Sequence, residues 1–346
     1  MSETKTVVSI EGDRFLIDGL LTYPGRSWRG NSIEGMLFNS RMANAILNDE
    51  NPATRGSWSY LDGEFTPERN TREFIAALPD YYAHGLRAVC INLQGGSPQG
   101  YSWNQPWHTS GFLPDGAIKP DYQERLEKVI AACDKIGMII ILGLFYWKQS
   151  QVLSGEVAVR NAVSNVVDYL VSLGARNVLL EIGNEVDLPY AHDIITPDRC
   201  HELVRLAQER SSGRLNTPRK RLLVSTSLVY SPRFGDNLME ACDFLLPHGN
   251  QCHHPDSIRL QVVRNRAAAS YRGQPIIFNE DDHYDFDKAD NNLVAAIEEG
   301  ASWGFFDYRQ TREKFHDGFQ SLPVDWAISS SRKKAFFALL KEITGS

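Results

Sequence analysis

The chain has 346 residues, 36 Lys+Arg against 43 Asp+Glu, and 42% hydrophobic residues. That composition argues against a disordered chain. The net charge of −7 argues against a general binder of nucleic acid or anionic membranes. The five cysteines, Cys90, Cys133, Cys200, Cys242 and Cys252, show no CxxC spacing, so neither a zinc knuckle nor a redox dithiol is signalled.

The opening MSETKTVVSIEG has no basic segment followed by an apolar run. No secretory leader is read there, and a cytoplasmic location is expected, or a secreted one if a leader has been removed. A hairpin is expected within residues 1–19, pairing 7–10 with 14–17 around Glu11-Gly12-Asp13. Eight barrel-strand candidates follow at 20–24, 87–93, 138–146, 178–183, 222–227, 244–247, 275–278 and 303–308. They are apolar runs rather than alternations, the pattern of parallel strands covered on both faces. The longest apolar stretch, 138–147, is too short to span a bilayer, so no membrane partner is expected.

Between the strands lie amphipathic segments with readable ends. Thr66-Pro67 and Thr196-Pro197 each place a capping oxygen before a proline at the first helical position. Tyr122, Leu126, Val129, Ile130 and Cys133 form one apolar stripe, ending before Gly137. Val159, Ala162, Val163, Val166 and Leu170 form another, ending at Gly174. Further stripes occupy 200–207, 258–268, 293–297 and 336–343, and 235–241 is the weakest helix.

Eight strand–helix pairs without a linker predict an α/β chain folded as a single (β/α)8 TIM barrel over residues 1–346. A doubly wound open sheet would show a glycine-rich phosphate loop after its first strand, and 23–31 shows none. Segments 25–65 and 94–119 read as long loops after strands one and two. They carry Trp28 and Trp58, then Tyr101, Trp103 and Trp107, at the end of the barrel where active sites are built. They are expected to wall in a pocket.

Two carboxylates carry the chemistry. The fourth strand runs through Gly183-Asn184 into Glu185, and the seventh through Phe278-Asn279 into Glu280. Both would rise from one rim of the barrel, where a desolvated charge needs a partner or a reaction. Glycoside cleavage uses such a pair, one acid to protonate the departing oxygen and one carboxylate to attack the anomeric carbon.

These motifs, with the strand order and the opening Phe15-Leu-Ile-Asp-Gly19, resemble clan A, the superfamily of retaining (β/α)8 glycoside hydrolases that includes cellulases, mannanases and β-galactosidases. No individual family is assigned. The resemblance implies a carbohydrate substrate, no cofactor, Glu185 as acid/base, Glu280 as nucleophile, and Asn184 holding the sugar 2-hydroxyl. The acidic run Asp281-Asp282-His283 departs from the pattern, as does Pro247-His248-Gly249-Asn250, which lacks the tyrosine of a His-x-Tyr motif.

Further substrate-binding candidates are His248, Arg26, Asn92, Trp28, Trp103, Tyr146, Trp147 and Trp303. Arg26, just past the expected first strand, is the candidate to orient Glu280, with a surface ion pair as its other reading. The aromatic residues suit sugar faces; loop packing is the favoured reading of any single one, and one or two of the set are expected to touch ligand. A metal-dependent hydrolase using His253, His254, Asp281, Asp282 and His283, or a silent carbohydrate-binding barrel, are the alternatives. No metal is expected.

Overall fold

The computed structural model describes residues 3–57, 59–96, 104–310 and 312–346. Among these residues, eight parallel strands succeed one another around one axis. They are Asn39–Arg41, Ala88–Asn92, Ile139–Tyr146, Val178–Asn184, Leu223–Ser225 continued by Ser227–Leu228, Leu246–Pro247, Ile277–Asp281 and Ser302–Phe305. Seven of them share one sheet. Its two edges are joined through the sixth, since Ser227–Leu228 pairs with Leu246–Pro247 and Leu245 bridges to Ile276. A helix follows each strand: Pro67–Ala83, Pro120–Ile136, Glu156–Ser172, Cys200–Ser211, Asp236–Ala241, Pro255–Arg266, Asn292–Glu298 and Ser331–Thr344. This is a TIM-type α/β barrel. No helix among the described residues is long and apolar enough to cross a membrane.

Most helix ends follow local chemistry. Thr66 Oγ1 accepts from the Arg69 N–H at 3.3 Å, and Gly137 closes the next helix at φ 80°. The second expected cap is displaced. Thr196 Oγ1 donates to the Asp193 carbonyl at 2.6 Å, closing a single turn at Asp193–Ile195, so the helix starts only at Cys200.

Successive side chains on a strand point to opposite faces, and here the two faces feed separate cores. Outward residues pack under the helices in the larger one. Inward residues Leu37, Ala88, Cys90, Ile139, Ile141, Leu179, Leu223, Phe244, Leu246 and Ile277 form an apolar layer at the N-terminal end of the barrel. The antiparallel hairpin Val8–Glu11/Arg14–Ile17 closes that end, its Phe15 fully buried and edge-on to Phe244 at 6.3 Å.

Above this layer the inward positions turn polar: Asn39 and Arg41 follow Leu37, Glu181 follows Leu179, and Asn279 follows Ile277, all buried. Glycines make room for them. A Cβ on Gly304 would run into the Asn39 amide, and one on Gly143 into that of Asn92.

The expected first strand is corrected. Leu20–Leu21 pairs antiparallel with Arg14–Ile17 as a third strand of the hairpin sheet, and the first barrel strand is Asn39–Arg41. Three polar residues in a row do not read as a buried strand, yet these line the polar upper barrel. Segment 25–65 is therefore no single loop. It holds the small hairpin Ser27–Trp28/Asn31–Ser32, the first strand, the turn Ala43–Ile46 and the short helix Pro52–Arg55. After strand two, Gln94 bridges to Ser110 and Phe112 to Ile118. Trp58, Tyr101 and Trp103 lie outside the described residues.

Candidate active site

Strand four delivers Glu185 with φ 55°, a left-handed conformation that costs a non-glycine residue on the order of 1–3 kcal/mol. Ser227, on the neighbouring strand, holds it there. The Glu185 N–H donates to Ser227 Oγ at 2.8 Å, and the Val186 N–H donates to the Ser227 carbonyl at 2.9 Å. Strand seven delivers Glu280. One carboxylate oxygen of each glutamate and a ring nitrogen of His248 all lie within 4.8 Å of one another.

His248, fully buried after strand six, places Nδ1 3.0 Å from Glu185 Oε1 and 3.6 Å from Glu280 Oε2. Arg41 rises between the carboxylates of strands four and seven. Its Nε lies 2.7 Å from Glu280 Oε2 and its Nη1 3.3 Å from Glu181 Oε2, while Nη2 donates to Asn184 Oδ1. Asn250, in the run without the tyrosine, donates through Nδ2 to Glu280 Oε1 at 3.1 Å. Each oxygen of Glu280 thus meets a donor.

Burial pushes the Glu280 carboxyl up to about 7 against the pull of Arg41 and His248, and the like charge of Glu185 acts in the same sense as burial. For His248, burial favours the neutral ring. The carboxylates of Glu280 and Glu185 outweigh it and hold the imidazole above its usual value. Groups this close exchange protons as one unit.

A cavity of about 380 Å³ opens over both glutamates, within the size range of small-ligand pockets. Tyr146, Trp147, Tyr230, Asn250, Asp282 and Tyr308 are among its walls. The structure therefore gathers Glu185, Glu280, His248, Tyr146 and Trp147 at one place. Asn184 and Asn92 sit just beneath, outside the cavity lining. Asn184 is held by Arg41, and its carbonyl accepts from the Tyr190 hydroxyl at 2.7 Å. The Asn92 amide oxygen faces Arg41 Nη2 at 3.2 Å.

Three expected contacts are corrected. Arg26 belongs to the hairpin region and donates to the carbonyls of Ile343 and Glu342, at 2.9 and 2.7 Å, at the end of the last helix. Trp28 donates through Nε1 to Glu342 Oε1 at 2.9 Å, with Arg29 over its ring. Both errors follow from the misplaced first strand. Trp303 is fully buried on the outward face of strand eight, against Phe286 and Phe336, because the alternation turns Gly304 inward instead. Trp103 lies outside the described residues.

Arg41, Glu181 and Tyr230 escaped the sequence reading, while Asn250 entered it only as part of a run lacking the tyrosine and Asp282 only in an acidic run read for a metal. Arg41 left one signal, a charge in period with Leu37 inside the run Leu37-Phe38-Asn39-Ser40-Arg41-Met42.

The acidic run divides by face. Asp281 points outward, accepting from Trp303 Nε1 and Asn292 Nδ2 at 2.9 Å each and from His283 Nδ1 at 2.6 Å. Asp282 faces the cavity, and burial pushes its carboxyl up to about 6. Among the described residues, Glu185/His248/Glu280 and Asp281/Asp282/His283 bring donor atoms close enough for a metal ion. In the second group both oxygens of Asp281 are already engaged in holding the loop.

No family model and no curated protein matches the chain. Solved structures do. An endo-1,4-β-mannanase from Rhizomucor miehei superposes with a TM-score of 0.57 at 12% identity, over 98% of this chain and 100% of that one. PbGH5A, a glycoside hydrolase family 5 enzyme from Prevotella bryantii B14, superposes at 0.54 and 10% identity, over 89% and 96%. The exo-β-1,4-mannosidase Op5Man5 from Opitutaceae bacterium strain TAV5 superposes at 0.52 and 14% identity, over 97% of this chain but only 61% of its own length. At these identities the likeness is one of fold alone.

Proposed function

We propose that the chain is a retaining glycoside hydrolase that cleaves a β-type bond by double displacement. One observation carries the reading: carboxylate oxygens of Glu185 and Glu280 lie within 4.8 Å of each other beneath an open cavity. Retaining enzymes hold the pair about 5–5.5 Å apart, whereas inverting ones leave about 6.5–9.5 Å for a water. The fold neighbours, among them enzymes named for β-1,4-mannoside cleavage, support a carbohydrate substrate.

In this reading Glu280, aligned by Arg41 and Asn250, attacks the anomeric carbon. The bond from that carbon to the leaving oxygen breaks as Glu185 protonates the oxygen. Glu185, now a carboxylate, takes a proton from water, which displaces Glu280 and releases the sugar with its original configuration. Tyr146 and Trp147 contact the bound sugar. The chain after strand two adds Gln105 to the wall, which supports action on chain ends or short oligosaccharides.

Glu280→Ala is expected to abolish turnover of an aryl β-glycoside, and added azide or formate to restore part of it. Unchanged turnover in Glu280→Ala or Glu185→Ala would reject the roles. Chelator is expected to leave turnover intact; loss restored by added metal would assign the donor groups to a metal centre instead.

A further inference from the structure

We infer that His253 and His283 form a binding site for a divalent transition-metal ion of the zinc class, which clamps together two loops at the wall of the cavity. The site stands apart from the proposed chemistry and takes no part in it.

The two rings come from different loops. His253 follows strand six and lines the cavity, and His283 follows strand seven, beside the wall residue Asp282. His253 Nδ1 stands 3.3 Å from His283 Nε2. A hydrogen bond from an N–H is ordinarily shorter, about 2.9–3.0 Å. Two nitrogens on one tetrahedral zinc, each about 2.0–2.1 Å from it, stand about 3.3–3.4 Å apart. Imidazole pairs suit zinc, copper and nickel, whereas magnesium and calcium prefer oxygen.

One ring is already prepared for a metal. His283 Nδ1 lies 2.6 Å from Asp281 Oδ1, a carboxylate oxygen that accepts, so Nδ1 carries the ring proton. Nε2 keeps its lone pair and faces His253. A carboxylate behind a metal-binding imidazole fixes its tautomer and orientation and makes the far nitrogen a better donor. Asp281 is itself immobile: it is fully buried, and its other oxygen accepts from Trp303 Nε1 and Asn292 Nδ2 at 2.9 Å each.

The surroundings favour a cation. Asp281, Asp282 and Asp285 all act on His283 with negative charge. His253 is exposed and His283 half-buried, so an ion reaches them from solvent, and water would complete its shell. The other close donor group, Glu185, His248 and Glu280, suits a metal less well. There Arg41 Nε already lies 2.7 Å from Glu280 Oε2, and a second cation would meet its buried charge.

The test titrates zinc chloride into the metal-free full chain by calorimetry, slightly above neutral pH because Asp281 also raises the proton affinity of His283. One ion per chain is expected to bind, and Tm to rise with zinc. Losing an outer-shell partner weakens metal sites about 10–100-fold, so His253→Ala and His283→Ala, which lose a ligand, should each bind at least about tenfold more weakly. His254→Ala, which removes the exposed neighbour, should bind as the wild type does. Electron paramagnetic resonance of bound copper(II) should show two nitrogen ligands in the wild type and one in His253→Ala. No binding by the wild type, or undiminished binding by His253→Ala, would overturn the site. Binding lost in Glu280→Ala and kept in His253→Ala would move the metal to the paired glutamates and overturn it equally. None of these readouts needs turnover, so a protein that cleaves no glycoside would sink the hydrolase reading and leave the metal site standing.

Discussion

The first and third barrel strands are equally buried and differ in almost everything else. In Ile139–Tyr146, Ile139 and Ile141 join the apolar layer at the closed end, and Ile140, Leu142 and Leu144 pack outward beneath the helices. Asn39–Arg41 is polar throughout and no more exposed. The Cys90 thiol donates to the Asn39 amide oxygen at 3.3 Å, Ser40 Oγ donates to the Phe305 carbonyl at 3.1 Å, and Arg41 reaches the carboxylates. One strand supports the barrel and the other supports the reacting groups. A buried polar strand persists only where its neighbours satisfy it.

Substitutions can break this division of labour. Ile141→Ala is expected to have the largest effect, a loss of about 2–5 kcal/mol of stability from the cavity it leaves. Denaturant melts would read that loss, with kcat of the folded protein little altered. A collapse of kcat at unchanged stability would refute the division.

Arg41→Lys comes next. A single ammonium cannot span Glu280, Glu181 and Asn184 at once, so kcat is expected to fall about a hundredfold with the fold intact by circular dichroism. A wild-type kcat would detach the polar strand from the chemistry.

Glu280→Gln sharpens the electrostatic side. The folded carboxyl is raised from 4.5 to about 7, so the folded state holds the extra proton between those values. Ionising it therefore lowers stability as pH rises through that window. The glutamine variant escapes this cost, on the order of 1–2 kcal/mol once coupling to His248 and Glu185 is allowed for. Its Tm should exceed that of the wild type by a few degrees at pH 8, with the gap closing near pH 4.5. A gap that widens toward acid would reverse the sign.

Arg26→Ala has the smallest expected effect. Losing its bonds to the end of the last helix should remove about 1 kcal/mol and leave kcat unaltered. A lowered kcat would return Arg26 to the site.

What the sequence made legible tracks the same contrast. Strands two, three, four and seven declared themselves as apolar runs, and the Asn-Glu pairs at the ends of strands four and seven stood out because charge follows hydrocarbon abruptly there. Strand one was hidden because the residues that serve Glu280 erase the pattern that marks a strand. The expectation of an arginine beside Glu280 was sound in its chemistry and attached to the wrong residue, Arg26, since Leu20-Leu21 imitates the missing run. Trp303 was misjudged by one residue of alternation. Tyr230 follows Leu228-Val229 and passes for the end of a strand, and only its exposure distinguishes it.

Phe15 is a stopper. It seals the underside of the apolar layer, and that layer shields the fully buried Glu181, whose Oε1 has no partner among the described residues, from the closed end. Trimming the chain past Ile17 would bare Phe244 and its apolar neighbours to water, while Leu179 and Ile277 would still stand between that water and Glu181. The loss would fall on stability and solubility, with the pocket left as it was.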